Sequence, residues 1–204
     1  MHINNAFSAI DKGNTLRSLP YRRLVVVSTL IEQDGLVATW RRIHPNSGAG
    51  SWECCELDGR GKAVPHPQPS GRRQIVLTDV YCQIAEQIGH VAAMSVAVAT
   101  PSFGIRVPDV VWMPPEKWEG FDREGPIPFV PDLCVEVLLD RQCAHDIGAR
   151  IRAYLEGGAR EVIVVGQRGE LQFCGANGQQ QSSQFGIALS LERMYFDELA
   201  PSSH

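Results

Sequence analysis

Polar and apolar positions predict helices and one hairpin in the first half of the chain. Residues 1–20 are polar and aperiodic, whereas residues 20–44 follow a helical pattern. Residues 52–64 predict a β-hairpin. Residues 72–89 predict a helix that ends at Gly89, because one face collects the apolar side chains of Ile75, Val76, Val80, Ile84 and Ile88.

The second half of the chain changes to the shorter pattern of strands. Extended apolar runs cover residues 92–100, 105–113, 132–139, 161–165 and 171–174. A polar insert separates the second run from the third, and residues 144–156 predict a helix. Strand, helix and strand between residues 132 and 165 form a crossover unit. We therefore predict an α/β fold with a mixed central sheet, in which Glu136 lies on a central strand.

Composition allows one well-packed core but decides little about partners. A chain of 204 residues with 44% hydrophobic content can bury a core, so disorder is not expected. We predict an N-terminal arm and helical segment over residues 1–50 and one domain over residues 51–204. The net charge of −4 gives no overall attraction to nucleic acid, which would need a local basic face. Arginine greatly outnumbers lysine, which suits phosphate binding but equally reflects coding bias.

The cysteines and the apolar runs indicate a cytoplasmic protein. The six cysteines form no CxxC pair and no secretory segment precedes them, which argues against a zinc ribbon and a disulfide scaffold. The apolar run at residues 24–30 is too short to span a bilayer. We therefore expect reduced thiols and no membrane segment.

Two carboxylates in apolar strands are the strongest candidates for a functional site. Glu136 interrupts the apolar run 132–139, and Asp109 follows Pro108 in the run 105–113. A buried, unpaired carboxylate is costly, so each acid requires a cation, hydrogen bonds or solvent. Two strands that each deliver one carboxylate predict a divalent-metal site. Taken singly, Asp109 could be a turn residue and Glu136 an exposed residue of an edge strand.

The order of these motifs resembles one known family. An acidic motif at the start of a strand is followed by a proline-rich insert, a strand with a second acid, a helix and a hydrophobic strand. This order resembles the Uma-two family of restriction-endonuclease-like proteins, within the PD-(D/E)xK nuclease superfamily. The resemblance covers residues 52–199 and is strongest over residues 107–165. Its spaced matches are Pro108-Asp109-Val110, residues 131–138, Asp146-Ile147-Gly148, Tyr154 and Gly158.

The resemblance implies a metal-dependent DNA endonuclease with a restriction-endonuclease-like, three-layer α/β core. Asp109 and Glu136 would bind Mg²⁺ or Mn²⁺, which prefer hard oxygen ligands, and the carbonyl of Val137 would add another ligand. The metal would polarise a phosphodiester and activate a water molecule for attack. The resemblance also implies a further acid in the early hairpin, where Glu53 matches best and Glu56 competes. Nucleases of this superfamily often act in pairs, so a homodimer is expected.

The chain departs from the family where a catalytic lysine is expected. Leu138 and Arg150 occupy the two positions at which that lysine is found, and no lysine follows Lys117. Arginine can bind a phosphate or stabilise negative charge, but it stays protonated and cannot serve as a general base. Arg72 or Arg73 stands where the family has a histidine. Weakened or lost cleavage is implied, and the alternatives are an inactive nuclease-fold protein that binds DNA or protein and a different metal-dependent hydrolase.

Overall fold

The computed structural model describes residues 33–43, 55–65, 70–89, 91–139 and 146–191. The predicted N-terminal arm and Glu53 lie outside these ranges. Their helices are α1 (Gln33–Ile43), α2 (Gly71–Ile88) and α3 (Ile147–Glu156), with a 3₁₀ turn at Pro115–Trp118. Their strands are β1 (Cys55–Asp58), β2 (Ala63–Pro65), β3 (Ala92–Met94), β4 (Val98–Ala99), β5 (Gly104–Arg106), β6 (Val110–Trp112), β7 (Leu133–Val137), β8 (Glu161–Val165), β9 (Leu171–Gly175) and β10 (Gly178–Gln180). No helix among the described residues is long and apolar enough to cross a bilayer.

The strands form two sheets, and the larger sheet carries the crossover unit. Its six strands lie in the order β10-β9-β8-β7-β6-β3. β7 and β8 are parallel and are connected through α3, whereas every other neighbouring pair in this sheet is antiparallel. The smaller sheet has the order β2-β1-β5-β4 and is antiparallel throughout. The hairpin, the crossover unit and the mixed central sheet predicted from the sequence are confirmed.

Helices α2 and α3 cover opposite faces of the six-stranded sheet. Successive side chains of a strand point to opposite faces, so β7 contributes to two separate hydrophobic clusters. One cluster joins Val76 and Val80 of α2 to Leu133, Val135 and Val137. The other joins Cys134 to Tyr154 of α3. The predicted three-layer core is therefore confirmed, and Glu136 lies on the α3 face.

Two of the predicted strands are each divided between the two sheets. The run 92–100 contains β3 and β4, and the run 105–113 contains β5 and β6. β3 and β6 belong to the six-stranded sheet, whereas β4 and β5 belong to the smaller one, so the prediction of two continuous strands was wrong. Pro108 has no N–H to donate and interrupts the second run. Ser95 interrupts the first with a φ of +54°, which is uncommon for a residue other than glycine.

Two smaller features also differ from the prediction. Ile75 was assigned to the apolar stripe of α2 but is 53% exposed, and Leu77 is buried in its place. β10 is a strand that the sequence did not predict; it pairs with β9 across a tight turn and leaves most of its polar surface in solvent. Cys82, Cys134 and Cys174 carry free thiols.

Gly104 is expected to be essential for the pairing of β5 with β1. Its φ is +131°, and a Cβ atom there would lie 2.3 Å from the carbonyl oxygen of Leu57. Gly104→Ala should lower the free energy of unfolding by about 3 kcal/mol or more, since backbone strain and a clash with main-chain atoms add. Urea denaturation would measure this loss.

Gly120→Ala is the matched control for that substitution. Gly120 has a φ of +86°, but no atom of the residues that the structure describes lies within 4 Å of the added Cβ. The control should therefore show only the cost of the left-handed backbone, about 1–2 kcal/mol. Equal losses in the two variants would contradict the steric argument.

Candidate functional site

Asp109 and Glu136 lie at the same end of the six-stranded sheet. Asp109 directly precedes β6, and Glu136 is the fourth residue of β7. The register pairs Val110 with Val135, and the Asp109 amide donates to the Val135 carbonyl at 3.0 Å. Both acids are buried, with 3% and 2% of their surface exposed. The two adjacent strands therefore bring together the two acids singled out from the sequence.

The side chain of Arg73 binds Asp109 and the backbone of β7 at once. Its Nη2 lies 2.6 and 2.7 Å from the two carboxylate oxygens of Asp109. Its Nε donates to the Val137 carbonyl at 3.0 Å, and the Val137 amide donates to Asp109 Oδ2 at 2.6 Å. The start of α2 fixes Arg73, because the Ser70 hydroxyl accepts from its amide. One guanidinium thus links α2 to the ends of β6 and β7.

A second ion-pair network holds Glu136 from the opposite face of the sheet. Arg150 Nη1 and the Tyr154 hydroxyl, both on α3, lie 2.8 and 2.6 Å from Glu136 Oε1. The same Nη1 lies 3.2 Å from the Tyr154 hydroxyl. Arg150 Nη2 reaches the smaller sheet, where it lies 2.7 Å from Glu56 Oε1. Arg150, predicted in place of the lysine, therefore lies beside Glu136.

Glu56 is the early acid that the structure brings to this network. It is 2% exposed on β1, and it accepts from Arg106 and from the Val107 amide at 2.9 Å each. Arg106 also pairs at 2.9 Å with Asp146, which directly precedes α3. Glu53, the better match on sequence, lies outside the described residues, so its role stays a prediction.

Arg73, Arg106 and Tyr154 complete the network but were not assigned to it from the sequence. Each of them nevertheless stands in a sequence pattern that could have identified it. Arg73 continues, at helical spacing, the buried stripe that includes Val76. Arg106 interrupts an apolar run, and Tyr154 lies one helical turn after Arg150. In all three cases a polar side chain occupies an otherwise buried face.

The buried acids and arginines of the site are equal in number. Three buried acids, Glu56, Asp109 and Glu136, pair with three buried arginines, Arg73, Arg106 and Arg150, whereas the side chain of Asp146, which also pairs with Arg106, is 40% exposed. The pKa of Glu136 is raised to about 7, because burial and the charge of Asp109, which raise it, outweigh Arg150, which lowers it. Burial alone would lower the pKa of Arg150, but Glu136 and its neighbours raise it above the ordinary value.

The arrangement at Asp109 does not fit a divalent metal. The ligands expected for such an ion, the Asp109 carboxylate and the Val137 carbonyl, both accept hydrogen bonds from the Arg73 guanidinium. A metal at about 2.0–2.6 Å from the same oxygens would overlap this group and repel its charge. Among the residues that the structure describes, no group of three or more His, Cys, Asp or Glu side chains is arranged to hold a metal ion.

Comparisons with known proteins give one family match and a similar solved structure. The sequence model of the Uma2 family, described as "Putative restriction endonuclease", matches residues 50–195. A crystal structure of "a putative nuclease belonging to DUF820" from Anabaena variabilis ATCC 29413 is similar in fold at 16% identity, with a TM-score of 0.49. That similarity covers 66% of this chain and 85% of the other. No curated protein matches the sequence.

Glu136 is expected to take up a proton near neutral pH. Its pKa is raised from an ordinary 4.5 to about 7, so infrared difference spectra should show a protonated carboxyl band that disappears as the pH rises through about 7. Because the folded-state pKa lies above the unfolded one, the stabilisation from this proton is present below pH 4.5 and is lost as the pH rises to about 7. Glu136→Gln should remove the band, and an unchanged band would refute the assignment.

Asp109→Ala is expected to destabilise the fold strongly. The substitution leaves the Arg73 guanidinium, in a residue only 2% exposed, without its carboxylate, which should cost about 3–5 kcal/mol in urea denaturation. Glu116→Ala, which removes an exposed carboxylate, is the control and should stay within about 0.5 kcal/mol of wild type. A loss below about 1 kcal/mol for Asp109→Ala would mean that Arg73 finds another partner or solvent.

Proposed function

This chain belongs to the Uma2 family of restriction-endonuclease-like proteins, and on that premise we propose that it binds nucleic acid without metal-dependent cleavage. The observation that carries the proposal is the Arg73 guanidinium, which is bonded both to Asp109 and to the Val137 carbonyl. A fixed organic cation supplies the charge that a buried carboxylate requires. A metal ion offers an open coordination position at which a water molecule is activated, whereas the guanidinium offers none.

The contacts of α3 support the same proposal. Arg150 stands where the resemblance expects a lysine, and neighbouring acids raise its pKa, so it keeps its proton. Its two Nη atoms are engaged by Glu136 and Glu56. An arginine held in this way stabilises the buried acids. It is not available to stabilise the charge that develops on a phosphate during hydrolysis.

Basic side chains near the same end of the sheet suit a nucleic-acid backbone. Because β7 and β8 are parallel, the turn after β8 lies at the same end as Val137, and it carries the exposed Arg168. Arg72 lies beside Arg73 at the start of α2, and it donates to the Leu139 carbonyl at 3.5 Å. Such residues provide a local basic face despite the net charge of −4.

Duplex DNA and a homodimer complete the proposal. The family description supports a nucleic-acid partner, and two copies related by a twofold axis match the two strands of a duplex. Sedimentation velocity tests the second part. A single monomeric species over a wide concentration range, with and without DNA, would exclude the homodimer.

Fluorescence anisotropy with a labelled DNA duplex tests the binding. Wild type should bind equally well in Mg²⁺ and in EDTA. Arg72→Ala/Arg168→Ala should bind about tenfold more weakly, and the slope of log affinity against log salt should fall by about 2, because two phosphate contacts are lost. Arg160→Ala is the matched control, since this exposed arginine lies at the opposite end of β8, and it should change neither quantity.

A plasmid-nicking assay on the same samples tests the absence of cleavage. Wild type should leave the plasmid intact in Mg²⁺ and in Mn²⁺. Nicking that requires Mg²⁺ and is lost in Glu136→Gln would contradict the proposal and favour the Mg²⁺-dependent endonuclease predicted from the sequence. DNA binding that is absent under all conditions would remove nucleic acid as the partner.

A further inference from the structure

The edge of the six-stranded sheet at β3 is exposed and apolar. β3 is the last strand of this sheet, and its three residues carry neither a charge nor a proline. Val91, which precedes the strand, is 70% exposed, and Met94 at its end is 40% exposed. The opposite edge strand, β10, consists of a glycine and two glutamines. Native proteins usually protect a sheet edge with charges or prolines, so the apolar edge at β3 is typical of a surface that pairs with another chain.

The ladder between β3 and β6 leaves backbone groups that point away from the sheet. The residues of an antiparallel pair alternate between hydrogen-bonded and non-hydrogen-bonded positions. The Ser95 amide donates to the Asp109 carbonyl at 3.0 Å, so the next hydrogen-bonded residue along β3 is Ala93. The amides and carbonyls of Ala92 and Met94 therefore face outward, in the position where an added strand forms hydrogen bonds.

A pocket lies beside this edge, on the α3 face of the sheet. It has a volume of about 250 Å³ and is lined by Val91, Pro115, Trp118 and Arg123. Ala93 and Trp118 both pack against the hydrophobic cluster on the α3 face, and Val91 shares the face of Ala93 because side chains alternate along a strand. An added strand would therefore place every second side chain on the face that carries the pocket.

One charged side chain, Arg123, lines the otherwise apolar pocket. Its Nε and Nη2 donate to the Trp118 carbonyl at 3.2 and 2.9 Å, which holds the guanidinium in place. Among the described residues Nη1 makes no hydrogen bond, so this nitrogen is available to an acceptor on an occupant of the pocket. An occupant with an apolar side chain and a carboxylate fits these groups.

We propose that the β3 edge binds an extended segment of a partner protein as an additional strand. The segment carries an aliphatic or aromatic side chain that enters the pocket. An acidic residue two positions away, and so on the same face, pairs with Arg123. The outward groups of Ala92 and Met94 form main-chain hydrogen bonds with any sequence, whereas the pocket and Arg123 select among sequences.

A second copy of this chain fits the edge less well. Two β3 strands related by a twofold axis at Ala93 would use all of the outward groups, because Ala92 of each copy then pairs with Met94 of the other. In that register Val91 lies opposite Ser95 of the second copy. The pocket would then receive a polar hydroxymethyl group in place of an apolar side chain, so a partner segment is the better occupant.

The pocket is separate from the site at Asp109. Ala92 pairs with Trp112 at one end of β6, whereas Asp109 precedes the other end of that strand. The inference therefore goes beyond the proposed function and does not depend on it. Val91→Lys should leave the affinity for duplex DNA unchanged, and a loss of DNA binding in this variant would contradict the separation.

Fluorescence anisotropy with a panel of short labelled peptides tests the proposal. Each peptide consists of threonines with one aliphatic or aromatic residue and one aspartate two positions before or after it. At least one peptide should bind the full chain saturably, and exchange of its aspartate for lysine should weaken binding by about tenfold. If no member of the panel binds, the proposal is wrong.

N-methylation of the best peptide distinguishes an added strand from simple filling of the pocket. Successive amides of an added strand face β3 and solvent in turn. Methylation of one alternate set of amides should abolish binding, whereas methylation of the other set should change the affinity by less than about twofold. Equal effects of the two sets would exclude strand addition.

Val91→Lys and Arg123→Gln locate the binding on the protein. The first places a charge at the edge and should weaken peptide binding by about tenfold or more. The second should remove the preference for aspartate over asparagine in the peptide. Ile75→Lys is the matched control, because this residue of α2 is also apolar and 53% exposed, and it should bind as wild type does. Equal losses in Val91→Lys and Ile75→Lys would contradict the assignment to β3.

Two further measurements identify the other occupants of this edge. In sedimentation velocity, a dimer that Val91→Lys dissociates, together with no peptide binding by wild type, would assign the edge to a second copy and overturn the proposal. Tighter binding of a synthetic peptide of residues 192–204 than of any panel member would assign the edge to that segment of the chain, with the same consequence.

Discussion

The burial of carboxylates at one end of the six-stranded sheet is the constraint on which the rest of the site depends. Asp109 and Glu136 lie on neighbouring strands, away from solvent, and an ionised acid cannot persist there without compensation. Arg73 reaches Asp109 from α2 on one face, and Arg150 reaches Glu136 from α3 on the other. Hydrophobic packing holds the three layers together, whereas these directional contacts fix the position of each helix along the sheet.

An arginine and a metal ion can each compensate the charge of a buried carboxylate, but the two cations differ in their properties. A metal exchanges with solvent, depends on its concentration and can be removed by a chelator. A guanidinium is part of the chain, so its charge is present whenever the protein is folded. Buried ion pairs are not in general more stable than apolar residues of the same size, but the loss of one partner is severe. The acids and arginines of this site are therefore interdependent.

The sequence predicted those parts of the fold that depend on local patterns. The hairpin near residues 52–64, the helix near residues 72–89 and the crossover unit follow from the periodicity of neighbouring residues. The division of two apolar runs between two sheets was not predictable in this way, because the sheet that a strand joins depends on partners far away in sequence. Local pattern identifies a strand, but it does not identify the neighbours of that strand.

The same limit applies to the site. The resemblance and the apolar surroundings pointed to Asp109, Glu136 and Arg150, and the structure brings these residues to one end of the sheet. Arg73 could be recognised as a charged residue on the buried stripe of α2. Its partner, Asp109, lies 36 residues away, and no local sequence pattern predicts that contact. The position of Glu56 likewise depends on the pairing of β1 with β5, which places this acid near Arg106.

The transfer of the chain between two sheets has a consequence for the order of folding. The ion pairs of Glu56 with Arg106 and Arg150 close loops of 50 and 94 residues. The entropy of such closures must be overcome before the contacts form, so pairings distant in sequence develop slowly. The charged side chains are therefore expected to stay hydrated while the hairpins and the crossover unit collapse. We expect this end of the sheet to be sealed from water late in folding, after both sheets and α3 have taken their places.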